Sequence, residues 1–279
     1  MSAGVTLLVL AAALLHACWN ALIKSGGDKT LDTVLIAAGS AMIAAPAVVF
    51  LPLPLAESWP YLCASVAIHM LYFTALAGAY KAGDLGQAYT LMRGSAPLLV
   101  ALFGTLVLDE RLTPAMWLGI ALISIGVIAS GWLGRERSRA ANRALTWAIA
   151  NAFIIMAYTL VDGAGVRLSG NAAAYTLWIF FLEAIPLVGF ILATRPRAAL
   201  AHAAKHWTRA LVGGAFLLGA YGIALWAMTR APVAAVSALR ETSVIFAAII
   251  GAAFLNERFG AWRIGMAAVV ALGTVALRY

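Results

Sequence analysis

Charged side chains are scarce in this chain. Only 11% of its 279 residues are Asp, Glu, Lys or Arg, whereas 64% are hydrophobic and the mean hydropathy is +0.94. Water-soluble domains carry about 25% charged residues. A chain with so few cannot cover a water-facing surface, so we place it in a lipid bilayer and exclude a soluble enzyme.

Cysteines and catalytic motifs are also nearly absent. The two cysteines, Cys18 and Cys63, both fall in apolar segments and form no disulfide framework. The sequence contains no HExxH, no GxSxG, no glycine-rich phosphate loop and no Cys/His cluster at metal-ligand spacing. We therefore expect no catalytic residue, no metal and no cofactor. An intramembrane hydrolase would require His16, His69 and Glu241 to converge.

The chain instead consists mainly of long apolar runs. A membrane-spanning helix needs about 20 mostly apolar residues. The sequence predicts ten such segments, at residues 5–23, 32–51, 59–79, 87–108, 114–132, 144–161, 172–193, 210–228, 232–255 and 261–277. The predicted fold class is thus an all-α membrane protein. Residues 15–18 resemble a lipoprotein cleavage site, but residues 1–4 lack a positive charge, so we expect the first helix to be retained.

One stretch of the chain occurs twice. Residues 89–111 and 236–258 align at a constant offset of 147 residues, which pairs Arg93 with Arg240 and Gly104 with Gly251. Each copy is an apolar helix with one arginine near its start and a Glu-Arg pair just past its end. A repeated half in a strongly apolar chain is typical of secondary transporters, which bind their cargo between the two halves.

The basic loop at residues 134–143 separates these halves, at residues 1–133 and 144–279. Five spans in each half are an odd number, so the second half is predicted to be inverted in the membrane. The odd-numbered loops contain thirteen Lys and Arg residues, against four in the even-numbered loops and the C-terminus. Since positive loops face the cytoplasm, we expect both termini outside.

The net charge of +8 thus reflects membrane topology and not nucleic-acid binding. Residues 195–209 are predicted to form one of the basic loops.

Several motifs resemble those of one known family. They are His16-Ala17-Cys18-Trp19-Asn20 in the first span, residues 83–99 closed by Asp109-Glu110-Arg111-Leu112, and residues 237–243 followed by Asn256-Glu257-Arg258. Together they resemble the EamA family of the drug/metabolite transporter superfamily. The resemblance implies ten spans in an inverted five-plus-five repeat, and movement of small metabolites through a central cavity. The substrates of this family are diverse, so the resemblance does not identify the cargo.

Ionisable residues inside the predicted spans are the first candidates for function. Each costs about 2.5–3.5 kcal/mol at bilayer depth and needs a partner or a wet cavity. The clear cases are Arg93, Arg240, Glu241 and Glu183, with Asp162 nearer a helix end. In one interpretation the two arginines hold an anionic group and Glu241 supplies the opposite charge or a titratable group. In the alternative, these charges form an internal network that only ties helices together.

Other polar and aromatic residues share faces with these charges or line neighbouring spans. A histidine there can donate a hydrogen bond between helices or carry a proton. The predicted substrate-binding or coupling residues are His16, Trp19, Asn20, His69, Tyr72, Tyr89, Arg93, Tyr158, Asp162, Tyr221, Arg240 and Glu241. The repeated pairs Glu110-Arg111 and Glu257-Arg258 lie just before the next helix begins, where a carboxylate can accept backbone N–H bonds, so we predict a structural role for them.

Taken together, these features predict a secondary transporter, and more specifically an exporter, that works by alternating access in a bacterial cytoplasmic membrane. Arginines suit carboxylates, so the expected cargo is an amino acid or another zwitterion or carboxylate. An exporter of drug-like cations has the same fold but needs a carboxylate in the first span, which offers only His16 and Asn20. A non-transport intramembrane enzyme or structural protein is the other alternative. Coupling to protons and facilitated diffusion fit equally well, as do a monomer and a homodimer.

Overall fold

The protein is helical throughout the part of the chain that the structure describes. This structure is a computed structural model, and it describes residues 1–82, 85–131, 139–254 and 260–279. Over these ranges there is no β-strand, and one short 3₁₀ turn, Ala56–Ser58, precedes the third helix. The helices are α1 (Ala3–Lys24), α2 (Lys29–Phe50), α3 (Trp59–Ala82), α4 (Leu85–Val107), α5 (Pro114–Ser130), α6 (Arg139–Leu168), α7 (Ala172–Thr194), α8 (Pro196–Met228), α9 (Val233–Arg240), α10 (Ser243–Phe254) and α11 (Ala261–Ala276).

The helices are long and apolar enough for a multi-pass membrane protein. Within the described residues, eight segments have the length and composition of a membrane span, and Pro114–Ser130 and Ile264–Ala276 are shorter apolar helices. Large apolar side chains face outward, among them Leu106 at 73%, Phe190 at 67% and Leu272 at 64% exposure, as lipid contact requires. A multi-pass membrane protein is therefore confirmed, whereas the count of ten spans stays a prediction.

Side-chain caps fix where several helices begin. The Thr113 hydroxyl accepts a hydrogen bond from the Met116 N–H at 3.2 Å, and Pro114 occupies the first helical position, where it costs no hydrogen bond. Asp28 caps α2 in the same way, accepting from the N–H groups of Thr30 and Leu31 at 3.1 Å each. These caps hold the ends of the helices outside the apolar runs.

The prediction that residues 195–209 form a loop is wrong. Helix α8 begins at Pro196 and continues through this basic segment, with non-helical torsions only at His206 (φ −123°, ψ 26°). The segment contains five alanines, which favour the helix, and a proline at the first helical position. Its polar residues end the apolar run, but they do not end the helix. Helix α6 likewise continues to Leu168, past the predicted end at residue 161, and therefore includes Asp162.

The ninth apolar run is not one helix. Helix α9 ends at Arg240 and α10 begins at Ser243. At the break, the N–H of Glu241 bonds to the carbonyl of Ala238 at 3.0 Å and that of Thr242 bonds to Leu239 at 3.2 Å. These three-residue hydrogen bonds tighten the backbone locally in place of the usual four-residue pattern. The interruption lies beside the buried Arg240 and Glu241.

Helix packing follows the internal repeat. With the offset of 147 residues, α1 to α3 correspond to α6 to α8, α4 corresponds to α9 plus α10, and α5 corresponds to α11. The contact of α3 with α6 has its counterpart in α8 with α1, and that of α4 with α6 has its counterpart in α10 with α1. The equivalent helices α5 and α11 pack on each other, and so do α2 and α7. This exchange of equivalent partners shows a two-repeat fold.

Glycines allow the closest of these contacts. A Cβ atom on Gly119 of α5 would lie 2.8 Å from the carbonyl oxygen of Gly273 on α11. A Cβ atom on Gly273 would lie 2.7 Å from the carbonyl oxygen of Gly119. Small residues of this kind let helix backbones approach each other in lipid. The α5–α11 contact therefore requires glycine on both helices.

Candidate functional site

The two matched arginines both lie where the regular hydrogen bonding of a helix is broken, by a proline in α4 and by the end of α9. In α4, Pro97 has no N–H, so the carbonyl of Arg93 cannot receive the usual hydrogen bond from the residue four positions later. In the second copy, the helix ends at Arg240 itself. Both side chains are buried, at 5% exposure for Arg93 and 7% for Arg240. Such interruptions at bilayer depth are tolerated where the backbone is buried in protein or lines a cavity.

Arg93 forms a buried ion pair. Its Nε donates to Oε2 of Glu241 at 3.0 Å, and its Nη2 lies 2.8 Å from Oε1 of the same carboxylate, although Nη2 makes no hydrogen bond of good geometry. A charge-assisted hydrogen bond of this kind is among the strong contacts of an arginine with a carboxylate. The pair connects α4 of the first half to the break between α9 and α10 of the second. Arg93 and Glu241 therefore neutralise each other inside the protein.

Arg240 has no such partner. Its guanidinium carbon lies 5.0 Å from the ring centroid of Tyr221 on α8, a cation–π contact. Within the described part of the chain, its side chain makes no ion pair and no hydrogen bond. An arginine keeps its charge in any protein environment. The interior thus contains a positive charge that no described carboxylate neutralises by contact.

The hydroxyl of Tyr221 connects this arginine to a buried acid. It donates a hydrogen bond to Oδ2 of Asp162 on α6 at 2.5 Å, and Tyr175 of α7 donates to Oδ1 at 3.3 Å. Asp162 is completely buried. Both of these donors are neutral hydroxyl groups. The carboxylate therefore accepts hydrogen bonds from the protein but is not paired with a cation in the described residues.

His69 belongs to an aromatic wall beside the acid. Its Nδ1 lies 2.9 Å from the carbonyl oxygen of Ser65 one turn earlier, so this nitrogen carries the proton and donates. The ring is stacked on Tyr158 with centroids 4.3 Å apart and meets Tyr221 edge-on at 6.2 Å. Tyr72 completes the wall, with its ring 6.0 Å from that of Tyr158. The predicted residues of α3, α6 and α8 therefore come together.

Helix α1 contributes polar atoms that have no partner in the described residues. His16 and Trp19 are in edge-to-face contact at 5.1 Å, and both His16 Nε2 and Trp19 Nε1 are buried without a hydrogen bond there. Asn20 bonds to the backbone carbonyl of His16 at 2.8 Å and not to its side chain. His16 lies within electrostatic range of Arg93 and Arg240. The unsatisfied Nε2 of His16 therefore lies near the arginines, and the unsatisfied Nε1 of Trp19 belongs to the ring beside it.

Tyr89 is the last of the predicted residues. It lies one turn before Arg93 on α4, within electrostatic range of Arg93, Glu241 and Arg240. With it, the structure brings together polar residues of α1, α3, α4, α6, α8 and α9, the helices expected from the sequence to line a central site. Chemically, this group offers one available cation, a carboxylate held by hydroxyls, and a wall of aromatic rings.

Both halves of the chain match the sequence profile of one family. The profile of the EamA-like transporter family aligns with residues 4–132 and again with residues 142–279. The chain belongs to the EamA-like transporter family. The resemblance inferred from the sequence motifs is thereby confirmed, and so is the assignment of the protein to a family of membrane transporters.

Comparison with solved structures supports the same fold. One crystal structure superposes on this EamA-like transporter with a TM-score of 0.78, over 100% of this chain and 99% of the other. The two sequences are only 16% identical, so the similarity shows the fold alone. No curated protein matches the chain significantly.

The first of the repeated Glu-Arg pairs of this EamA-like transporter, Glu110-Arg111, lies at the start of α9 and not among the site residues. The Glu110 carboxylate accepts hydrogen bonds from the N–H groups of Val233 at 2.7 Å and Ala234 at 3.4 Å, at the start of α9. Arg167 contacts the same carboxylate at 2.6 Å. Arg111 is exposed. Glu257 and Arg258 lie outside the described residues. Glu110 therefore holds the helix that carries Arg240 at its other end.

Sequence reasoning missed some residues around Asp162. Tyr175 and Ser65 were not predicted as site residues. Ser65 lies one turn before His69, a spacing that could have identified it, whereas Tyr175 has no candidate residue one turn away on α7. Glu183 of α7, noted in the sequence but given no partner, is 8% exposed and lies within electrostatic range of His69 and Asp162. Only the packing of α3 and α7 against α6 brings these residues to the aspartate.

Proposed function

We propose that this EamA-like transporter is a secondary transporter of small carboxylates and zwitterions, such as amino acids. The observation that carries the proposal is the contrast between the two arginines. Arg93 is neutralised by Glu241 at 2.8 and 3.0 Å, whereas Arg240 makes no ion pair with a described residue. A buried cation without a counter-ion favours an anionic ligand, and a guanidinium can bind a carboxylate through two hydrogen bonds.

The surroundings of Arg240 fit an organic acid better than an inorganic anion. The ring of Tyr221 contacts the arginine, and His69 and Tyr158 extend this aromatic surface from Tyr221, so that it can bury an apolar side chain. The unpartnered Nε2 of His16 and Nε1 of Trp19 offer further polar contacts.

The proposed mechanism is alternating access of two inverted repeats. It assumes ten spans, five in each half, with the second half inverted in the bilayer. The exchange of equivalent helix contacts, the proline in α4 and the helix break after Arg240 support this arrangement. We place the transporter in a bacterial cytoplasmic membrane, where it would export its cargo. The distribution of Lys and Arg among the loops favours an orientation with both termini outside.

A cation exporter of the same fold is the competing function. It would need an available carboxylate near the cavity, and α1 contains no acidic residue. Of the described acids, Glu241 is already paired with Arg93. The excess of positive charge at Arg240 would repel a cationic ligand.

Counterflow into proteoliposomes separates the two functions. Three probes share one aromatic body and differ in charge: phenylpropionate is an anion, phenylalanine a zwitterion and phenethylamine a cation. Vesicles preloaded with unlabelled probe are mixed with the labelled form, and protein-free vesicles serve as the control. We expect exchange of the anion or the zwitterion and none of the amine. Exchange of phenethylamine alone would overturn the carboxylate assignment and leave a transporter of cations.

A further inference from the structure

Asp162 is a buried acid whose negative charge is stabilised only in part. Its exposure is 0%, and the tyrosine hydroxyls of Tyr221 and Tyr175 donate to its two oxygens. Neutral donors replace some of the lost hydration, but they do not cancel the charge. Buried acidic residues in membrane-spanning helices are rare, and in pumps and transporters they often form part of a proton relay.

Every helix packed around this part of α6 presents a titratable or charged group. None of the described groups is a cation in hydrogen-bonding contact with the Asp162 carboxylate. They are His69 from α3, Arg93 from α4, Tyr158 from α6 itself, Tyr175 and Glu183 from α7, Tyr221 from α8 and Arg240 from α9, and α3 adds the neutral hydroxyl of Ser65. The Nδ1 proton of His69 is donated to the Ser65 carbonyl and not to the carboxylate.

Tyr221 touches both the acid and the unpaired arginine. Its ring lies 5.0 Å from the guanidinium carbon of Arg240, and its hydroxyl donates to Asp162 at 2.5 Å. The negative charge of Asp162 and the positive charge of Arg240 are therefore separated by one phenol ring. In a medium of low dielectric, charges at this separation stabilise each other appreciably.

A bound anion would change the net charge of the described interior residues. Arg93 and Glu241 cancel as an ion pair. Glu183 is buried and makes no hydrogen bond or ion pair with a described residue, so its anion is the least stabilised of these carboxylates and we count the group as neutral. Arg240 and Asp162 then balance each other. A carboxylate bound at Arg240 would leave the interior with one uncompensated negative charge.

We propose that Asp162 is the proton-binding residue of this transporter, and that a carboxylate bound at Arg240 causes Asp162 to take up a proton. The inference rests on the proposed function of Arg240. The ligand neutralises the positive charge that stabilises ionised Asp162 across Tyr221, so the protonated form becomes favoured. The proton comes from water and forms an O–H bond on the Asp162 carboxyl, while Tyr221 keeps its own proton. Ligand and proton thus bind together, and each increases the affinity for the other.

The ammonium group of a zwitterion changes the expected stoichiometry. Phenylalanine brings a positive charge with its carboxylate, so the interior gains no net charge when it binds. Phenylpropionate lacks that group. We therefore expect uptake of up to about one proton per bound phenylpropionate and clearly less per bound phenylalanine.

Proton uptake can be measured directly on the purified protein. Phenylpropionate is mixed with the transporter in weakly buffered detergent solution that contains a pH indicator dye, and binding is measured in parallel by calorimetry. Calorimetry in two buffers of different ionisation enthalpy gives the number of protons independently. We expect alkalinisation of the medium with the wild-type protein, and a smaller change with phenylalanine.

Two matched substitutions assign the proton to one acid. Asp162→Asn removes the titratable group but keeps an acceptor for Tyr221, so phenylpropionate should bind without proton uptake. Glu183→Gln removes the other buried acid of this region and should leave uptake unchanged. If Asp162→Asn does not fold, Tyr221→Phe tests the same connection, because loss of the hydroxyl should reduce uptake while Arg240 remains.

The results distinguish this inference from the proposed function. Binding of phenylpropionate without proton uptake by the wild type would overturn the inference and leave the carboxylate transporter intact. Loss of uptake in Glu183→Gln but not in Asp162→Asn would move the proton to Glu183 and also overturn it. Absence of phenylpropionate and phenylalanine binding would instead contradict the proposed function itself.

Discussion

Arg93 and Glu241 form a two-point ion pair that joins the two halves of the transporter. The distances are 3.0 Å from Nε to Oε2 and 2.8 Å from Nη2 to Oε1, and both side chains are at least nine-tenths buried. The pair lies one turn before Pro97 of α4 in the first half and at the break between α9 and α10 in the second. Its formation leaves Arg240 as the interior arginine that makes no ion pair within the described residues, and the proposed function depends on this asymmetry.

Removal of one member of the pair should cost more than removal of both. Glu241→Gln leaves Arg93 and Arg240 buried without a carboxylate between them, and loss of a partner of a buried ion pair destabilises by about 3–5 kcal/mol. Arg93→Gln should cost less than Glu241→Gln, because Glu241 can then balance Arg240. The double variant should regain most of the loss. Apparent melting temperatures in detergent measure all three, and additive losses in the double variant would contradict a direct pair.

Glu110 should matter for stability and Arg111 should not. The Glu110 carboxylate accepts hydrogen bonds from the first N–H groups of α9 and contacts Arg167 at 2.6 Å. Loss of a helix-capping acceptor costs about 0.5–2 kcal/mol. We expect Glu110→Ala to lower the melting temperature and the matched control Arg111→Gln, at an exposed neighbour, to leave it unchanged. Equal effects of the two substitutions would show that the motif acts in another way.

The charge of Asp28 should stabilise the protein only above acidic pH. Burial raises the pKa of this carboxyl, but the N–H groups of Leu31 and Thr30 and the guanidinium of Arg195 outweigh it, so the pKa is lowered overall. A lowered pKa in the folded state means that the stabilisation is present above the unfolded value of about 3.9 and is lost as the pH falls through the folded value. The effect is modest, because the side chain is 34% exposed.

The variant Asp28→Asn isolates this contribution, since Asn also caps helices well. Its melting temperature should lie below that of the wild type at neutral pH, and the difference should vanish in acid. Glu57→Gln, at an exposed acid of the neighbouring loop, is the control and should show no such dependence. A difference for Asp28→Asn that persists at low pH would mean that the charge is not responsible.

The close contact of α5 and α11 should not accept a side chain. A Cβ atom at Gly273 would meet the Gly119 carbonyl oxygen at 2.7 Å, which the helices can relieve only by moving apart. Gly265 lies on the same helix, and a Cβ atom there would meet nothing within 4 Å. We expect Gly273→Val to reduce the yield of folded protein and Gly265→Val to leave it unchanged. Normal yield and melting temperature of Gly273→Val would contradict the packing of these helices.

The sequence predicted the family, the helical membrane fold and the group of residues that meet in the interior, because the repeat and the buried charges are visible in it. It did not predict the break after Arg240, since residues 232–255 form one continuous apolar run and apolarity alone does not distinguish one helix from two. It assigned the Ala-rich segment before residue 209 to a loop because hydropathy and not helix propensity defined the spans. It could not choose which arginine is paired, because both Arg93 and Arg240 occupy equivalent positions and only the three-dimensional packing of α4 against α9 decides.

The affinity of Arg240 variants for probes of opposite charge is the most direct test of whether Arg240 binds the carboxylate of the cargo. Phenylpropionate and phenethylamine are titrated calorimetrically into the wild type, Arg240→Gln, Arg240→Lys and the control Arg230→Gln, which removes an exposed arginine that lies over Trp226. A charge-assisted hydrogen-bonded contact contributes about 1.5–3 kcal/mol, so phenylpropionate affinity should fall by roughly 10- to 100-fold in Arg240→Gln. It should fall less in Arg240→Lys and not at all in Arg230→Gln. Unchanged phenylpropionate affinity in Arg240→Gln would show that Arg240 does not bind the carboxylate. A wild type that binds only phenethylamine would show that the cargo is a cation.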